Sequence, residues 1–231
     1  TFLGLGNPYS SGTFSIDGAQ VSMPELHIVQ GTGMVNVAHG TLAVPIVSIG
    51  ETNTAAGALK ITGGTTWIST SLTVGSSSNA SAGVSVSGGA LNITNATHTA
   101  TTLMNGGALL LLGAGVFQTD NLILTHGGSV NSSRNVLVGT TVGTTNTLAL
   151  SGGSTLSLTN AALGLGNNGT TNGAGTGIAT ITDATINVTR LDLGSAGGGR
   201  GLLTLQSNAL LNVQSNLTVI SGSLVATSSI T

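Results

Sequence analysis

Cysteine is absent from this 231-residue chain, which excludes a disulfide framework and a thiolate metal site. Charge is almost absent as well. Lys60, Arg134, Arg190 and Arg200 stand against Asp17, Glu25, Glu51, Asp120, Asp183 and Asp192, for a formal net charge of -2. Nucleic acid and anionic membrane surfaces both require clustered Lys and Arg, so neither is an expected partner. Long apolar runs are missing too. The longest covers residues 108–112, far short of the roughly 20 residues of a membrane-spanning helix. Aromatic residues make up 2% of the chain, so the flat platforms that usually bind glycans are nearly missing. Lys, Arg, Glu, Gln and Met, the strong helix formers, are scarce.

What remains is Leu, Val and Ile set among Gly, Ser, Thr and Asn. Disordered linkers share the small polar residues but lack the aliphatic ones. The combination of β-branched and turn residues points to strands and tight turns.

A small-residue turn recurs along the chain. It stands at Asp17-Gly18, His39-Gly40, Gly63-Gly64, Gly88-Gly89, Gly106-Gly107, Gly127-Gly128 and Gly152-Gly153, with degenerate copies at Asp183-Ala184 and Ser207-Asn208. The steps run from 18 to 31 residues and average about 24. Each step holds three short runs in which every second residue is apolar. In one unit strand A is Leu72-Thr73-Val74-Gly75, strand B is Val84-Ser85-Val86-Ser87 and strand C is Ala90-Leu91-Asn92-Ile93-Thr94. The order repeats as Leu163-Gly164-Leu165-Gly166, Ile178-Ala179-Thr180-Ile181 and Thr185-Ile186-Asn187-Val188, and again from Leu191 through Leu202 to Val213. Alternation gives each strand one buried face. The expected fold is therefore an all-β, right-handed parallel β-helix, a three-sided β-solenoid of about nine to ten coils filling residues 1–231 as one domain. Like strands are expected to stack on like, with variable loops at one corner between A and B. The coil ending at Gly106 reads as short, with A and B merged over residues 101–104.

The pattern of Val-Gly, polar loop, alternating strand, Gly-Gly and second strand resembles the β-strand repeats of bacterial type V autotransporter passengers and of surface proteins with a PEP-CTERM sorting tail. Val74-Gly75 through Gly88-Gly89 and Val138-Gly139 through Gly152-Gly153 carry the resemblance, which extends over roughly residues 42–219. It implies export to the extracellular space or bacterial cell surface, a β-helix, and roles in adhesion, biofilm or surface layers. It does not imply catalysis.

Candidate chemistry is thin. Gly164-Leu165-Gly166-Asn167-Asn168-Gly169 spells a dinucleotide motif but is followed by more Gly, Asn and Thr rather than a helix. The glycine-rich stretch from Ser195 to Gly201 lacks the GK[ST] ending of a phosphate loop. Glu25 and His27 could form half a metal site, although a solvated strand face is the simpler reading. His39 and His126 both precede a turn glycine and are expected near one corner. Asp183 and Asp192 are expected on different sides of the coil, and Arg190 and Asp192 to point outward together and pair. The Thr-x-Thr segments at Thr52, Thr97, Thr145 and Thr180 fall in loops or different strands, unlike an ice-binding ladder. No catalytic, cofactor-binding or metal-binding residue is therefore assigned, and an enzyme is not expected.

Neither end reads as a cap, and the chain opens on Thr1 without initiator Met or leader. It is expected to be a segment of a longer chain, or a subunit that stacks end to end on its neighbours. The functional expectation is an extracellular structural or adhesive rod within a filament, surface layer or adhesin. Its partners would be its own copies or neighbouring coils end to end, and a host or matrix surface. The alternative is an exported polysaccharide-binding or polysaccharide-degrading β-helix, for which Asp192 and Glu51 are the residues to test.

Overall fold

The structure is a computed structural model in which residues 2–5, 11–28, 32–52, 56–75, 81–167 and 175–227 are described. Its strands in chain order are β1 (Phe2–Leu5), β2 (Ser11–Ile16), β3 (Ala19–Ser22), β4 (Glu25–Ile28), β5 (Thr32–Val37), β6 (Gly40–Ile49), β7 (Ala58–Ile61), β8 (Thr65–Val74), β9 (Gly83–Val86), β10 (Ala90–Ile93), β11 (Thr101–Asn105), β12 (Ala108–Leu111), β13 (Val116–Thr119), β14 (Asn121–Thr125), β15 (Ser129–Ser132), β16 (Val136–Val138), β17 (Thr145–Leu150), β18 (Thr155–Leu165), β19 (Thr176–Thr182), β20 (Thr185–Leu193), β21 (Arg200–Gln206), β22 (Leu210–Val219) and β23 (Gly222–Ala226). No helix occurs among the described residues.

The strands stack in parallel as a β-solenoid. Three ladders run along it. The first joins β1, β4, β6, β8, β11, β14, β17, β19, β21 and β23; the second joins β2, β5, β7, β9, β12, β15, β18, β20 and β22. The third comes in two runs. One links β3, β6, β8, β10 and β13, and the other links β16, β18, β20 and β22. At the usual strand spacing the ten rungs of the first ladder span about 45 Å.

Five long strands serve two ladders each by bending at a corner. In β6 the register slips between Val44 and Ile46, around Pro45. Proline has no N–H to give, so it is tolerated where the ladder is interrupted anyway. In β18 the slip lies between Leu158 and Ala162, and Asn160 takes a left-handed φ of 55° there. The Asn135 amide oxygen accepts from the freed Ala162 N–H at 2.8 Å.

Every second residue of each strand points inward, and the inward residues form columns. Leu26, Val47, Leu72, Thr102, Leu122, Leu148, Ala179 and Leu203 make one column of the first ladder, and all are buried. One continuous apolar cluster results. Each inward side chain touches its counterparts above and below, so a coil gains most of its burial from its neighbours rather than from itself.

The paired glycines mark corners where successive coils touch. A Cβ on Gly89 would lie 2.1 Å from the Gly64 carbonyl oxygen. The degenerate markers make the same turn as the glycines they replace. Asp183 and Ser207 hold φ of 51° and 54° at positions in register with Gly152, whose φ is 60°.

The repeat is present, but its phase changes partway along the chain. Through Gly88-Gly89 the glycine turn lies between the second and third ladders. From Gly106-Gly107 onward it lies between the first and second. The 18-residue step between them is therefore less than one turn. It is not a short coil with merged strands: residues 101–105 form the full strand β11, preceded by a lengthened corner at residues 94–100. Strand A of the early units, Leu72 to Gly75, thus lies in the first ladder, whereas Leu163 to Gly166 lies in the third. Like strands do not stack on like across the junction. The physical reason is that all three strand types offer the same alternating apolar face, so a motif can shift by one ladder without losing burial. The long loops shift with it. They connect the first ladder to the second early on (50–57, 75–82) and the third to the first later (139–144, 166–175, 194–199), so they gather at two corners rather than one.

Candidate functional site

Ionisable side chains are so few that each can be placed. On β4, Glu25 and His27 point outward from the first ladder, flanking buried Leu26. Glu51 follows the end of β6, one rung on. His27 Nε2 lies 3.2 Å from Glu25 Oε2, and its Nδ1 is hydrogen-bonded to Glu51 Oε1. Partial burial opposes protonation of His27, but the hydrogen bonds and charges of Glu51 and Glu25 outweigh it and raise its pKa above the ordinary value. Both ring nitrogens are engaged by carboxylates, an arrangement that holds a proton between two acids rather than a metal ion. The Glu25–His27 pair was readable in the sequence. Glu51 was not, because only the stacking of β6 on β4 brings it alongside.

A second cluster surrounds Asp120, which fills the one-residue corner between β13 and β14 and is 7% exposed. Its carboxylate accepts from Thr94 Oγ1 at 2.9 Å, Ala100 N at 3.2 Å, Asn95 N at 3.3 Å and His98 Nδ1 at 3.2 Å. All four donors belong to the lengthened corner 94–100, the equivalent corner one coil before. Asn146 Nδ2 adds a bond to the His98 carbonyl at 3.1 Å. The cluster holds a loop in place. Sequence reasoning passed over Asp120, whose partners lie 20 to 26 residues away.

The remaining groups do not converge. Arg190 Nε donates to Asp192 Oδ2 at 2.8 Å, so the expected pair forms. Asp192 is 7% exposed, however, and not a solvated carboxylate. It stacks between Gly164 and Thr218 on the rungs either side, and a short side chain in mid-ladder is screened by its neighbours. Asp183 sits at the corner between β19 and β20, on a different ladder from Asp192, so the two carboxylates do not flank a common cleft. His39 pairs with Asp17 at 2.8 Å, both widely exposed. His126 bonds to Asn105 at 2.8 Å. The two histidines occupy different corners, not one, because the glycine turn changes corner between them. Residues 168–174 of the dinucleotide-like segment lie outside the described residues. Thr145 and Thr147 oppose Thr176 and Ile178, so no Thr-x-Thr row stacks there. Among the described residues no group of three His, Cys, Asp or Glu could hold a metal ion.

Two features were not foreseen. One is a polar row on the second ladder: Asn212 Nδ2 donates to Asn187 Oδ1 at 2.6 Å, and Asn187 Nδ2 to Ser157 Oγ at 3.4 Å. Ladders of stacked amides recur where parallel strands lie in register. The signal for it was the Asn or Ser between apolar residues of each strand. The other is a cleft of about 310 Å³ on the third ladder between β13 and β16.

Compared with family models, with curated proteins and with solved structures, the chain matches none.

Proposed function

We propose that this chain is an extracellular structural or adhesive rod, part of a filament, surface layer or adhesin built by coil stacking. The observation that carries this reading is the last described coil. Leu191 and Leu193 are fully buried in β20, yet their counterparts one rung on, Leu217 and Val219, are 44% and 50% exposed, and Ile220 beside them is 55% exposed. An open rung of apolar residues with a free strand edge is a template for another rung, whether from further chain or from another copy. Such a head-to-tail contact does not close on itself and extends a rod. The small uncharged side chains along the ladders also suit a passive spacer better than a site of chemistry.

Negative-stain electron microscopy and sedimentation of the purified chain test this. End-to-end rods or fibres are expected, lost in a Leu217→Lys, Val219→Lys double variant. Short monodisperse particles at every concentration would refute assembly by coil stacking.

A further inference from the structure

The third ladder is broken once, one coil after the phase change. β13 pairs only with β10, and β16 only with β18. The cleft between them is lined by Phe117, Gln118, Thr119, Asn135, Leu137 and Thr140, among others. Its volume of about 310 Å³ falls at the lower end of small-ligand sites. Three properties restrict what fits. No lining residue is charged, so an ionic ligand would find no counter-charge. Both walls are strand edges without a ladder partner, so backbone N–H and C=O groups line them alongside the amide of Gln118 and the Asn135 amide, whose oxygen already accepts from Ala162 N–H. Apolar surface lies beside these groups: Val116 is 52% exposed, and Trp67 is 47% exposed. Trp67 precedes Gln118 by two rungs in the outward row of the same ladder, through Asn92, a separation of about 10 Å. A flat indole surface two rungs along the ladder from a neutral set of donors and acceptors matches a short oligosaccharide, whose rings have a C–H face and a rim of hydroxyls.

We propose that this cleft binds a neutral glycan, seated across the third ladder from Trp67 to Asn135. The site goes beyond the rod reading, since it would bind whether or not coils assemble end to end. An inserted peptide strand fits less well. It would need walls about 9.5 Å apart, two strand spacings, whereas β13 and β16 hold Cα atoms within 8 Å of each other.

Titration of the intact chain with cellohexaose, xylohexaose, maltohexaose and chitohexaose, followed by Trp67 fluorescence and calorimetry, tests the site. At least one of these is expected to bind and shift the fluorescence, while an oligogalacturonate does not. Gln118→Ala and Trp67→Ala should each weaken binding about three- to ten-fold, and Gln206→Ala, on the first ladder, should leave it unchanged. Trp67→Ala is read by calorimetry alone. No binding by any of the four up to about 10 mM would overturn the proposal. So would binding that Gln118→Ala and Trp67→Ala leave intact, or saturation of the cleft by an extended peptide instead.

Discussion

Two residues show how little polar chemistry the interior of this solenoid tolerates. Thr66 is fully buried in the third ladder between Leu42 and Leu91, and its Oγ1 has no hydrogen-bond partner. A buried hydroxyl without a partner carries its full desolvation cost, whereas valine has the same shape without it. Thr66→Val should therefore stabilise the protein by about 1–3 kcal/mol in chemical denaturation; a loss of stability would mean that the hydroxyl is satisfied after all. His27 behaves in the opposite way, being held by two carboxylates. Its folded pKa is raised, so the stabilisation it contributes is complete below the ordinary histidine value of about 6.5 and is lost as pH rises through the raised value. Melting temperature followed from pH 5 to 9 should fall across that window in the parent chain, and the fall should flatten in His27→Gln. Equal slopes in both would remove His27 from the account.

At the scale of elements, the corners are where the repeat accommodates irregularity. The corner at residues 94–100 is longer than its counterparts, residues 69–70 one coil before and Asp120 one coil after, and Asp120 holds it by four hydrogen bonds. Removing the carboxylate leaves the buried Ala100 N–H and the Asn95 N–H without acceptors. Asp120→Ala should cost about 2–4 kcal/mol, and amide exchange over residues 94–100 should accelerate. Asp120→Asn keeps an acceptor and should cost less. If both variants match the parent chain, the loop is held by other contacts.

The whole molecule is one continuous core with a weak plane across it. The first and second ladders run on past this plane, from β14 to β17 and from β12 to β15, whereas the third stops at β13 and resumes at β16. In a solenoid, stability is a sum over neighbouring coils, so the interface lacking one ladder of three is the weakest. Hydrogen exchange should find the amides of Phe117 and Thr119 less protected than those of β10 or of residues 163–165. Uniform protection along the third ladder would show that the break costs nothing.

The sequence by itself determined the parallel all-β solenoid. Alternating apolar residues demand a buried face on each short strand, and a turn returning about every 24 residues demands that equivalent strands stack. It also identified the Glu25–His27 and Arg190–Asp192 pairs, because residues two apart on a strand share a side. Phase was not legible. Leu72 to Gly75 and Leu163 to Gly166 look alike, and only the ladder pairings show that they occupy different ladders. The approach of Glu51 to His27, the donors around Asp120 and the cleft between β13 and β16 were hidden for the same reason. Each depends on which rung lies above which, and a periodic pattern leaves that choice open because every register one ladder apart buries the same apolar face. Only tertiary stacking decides it.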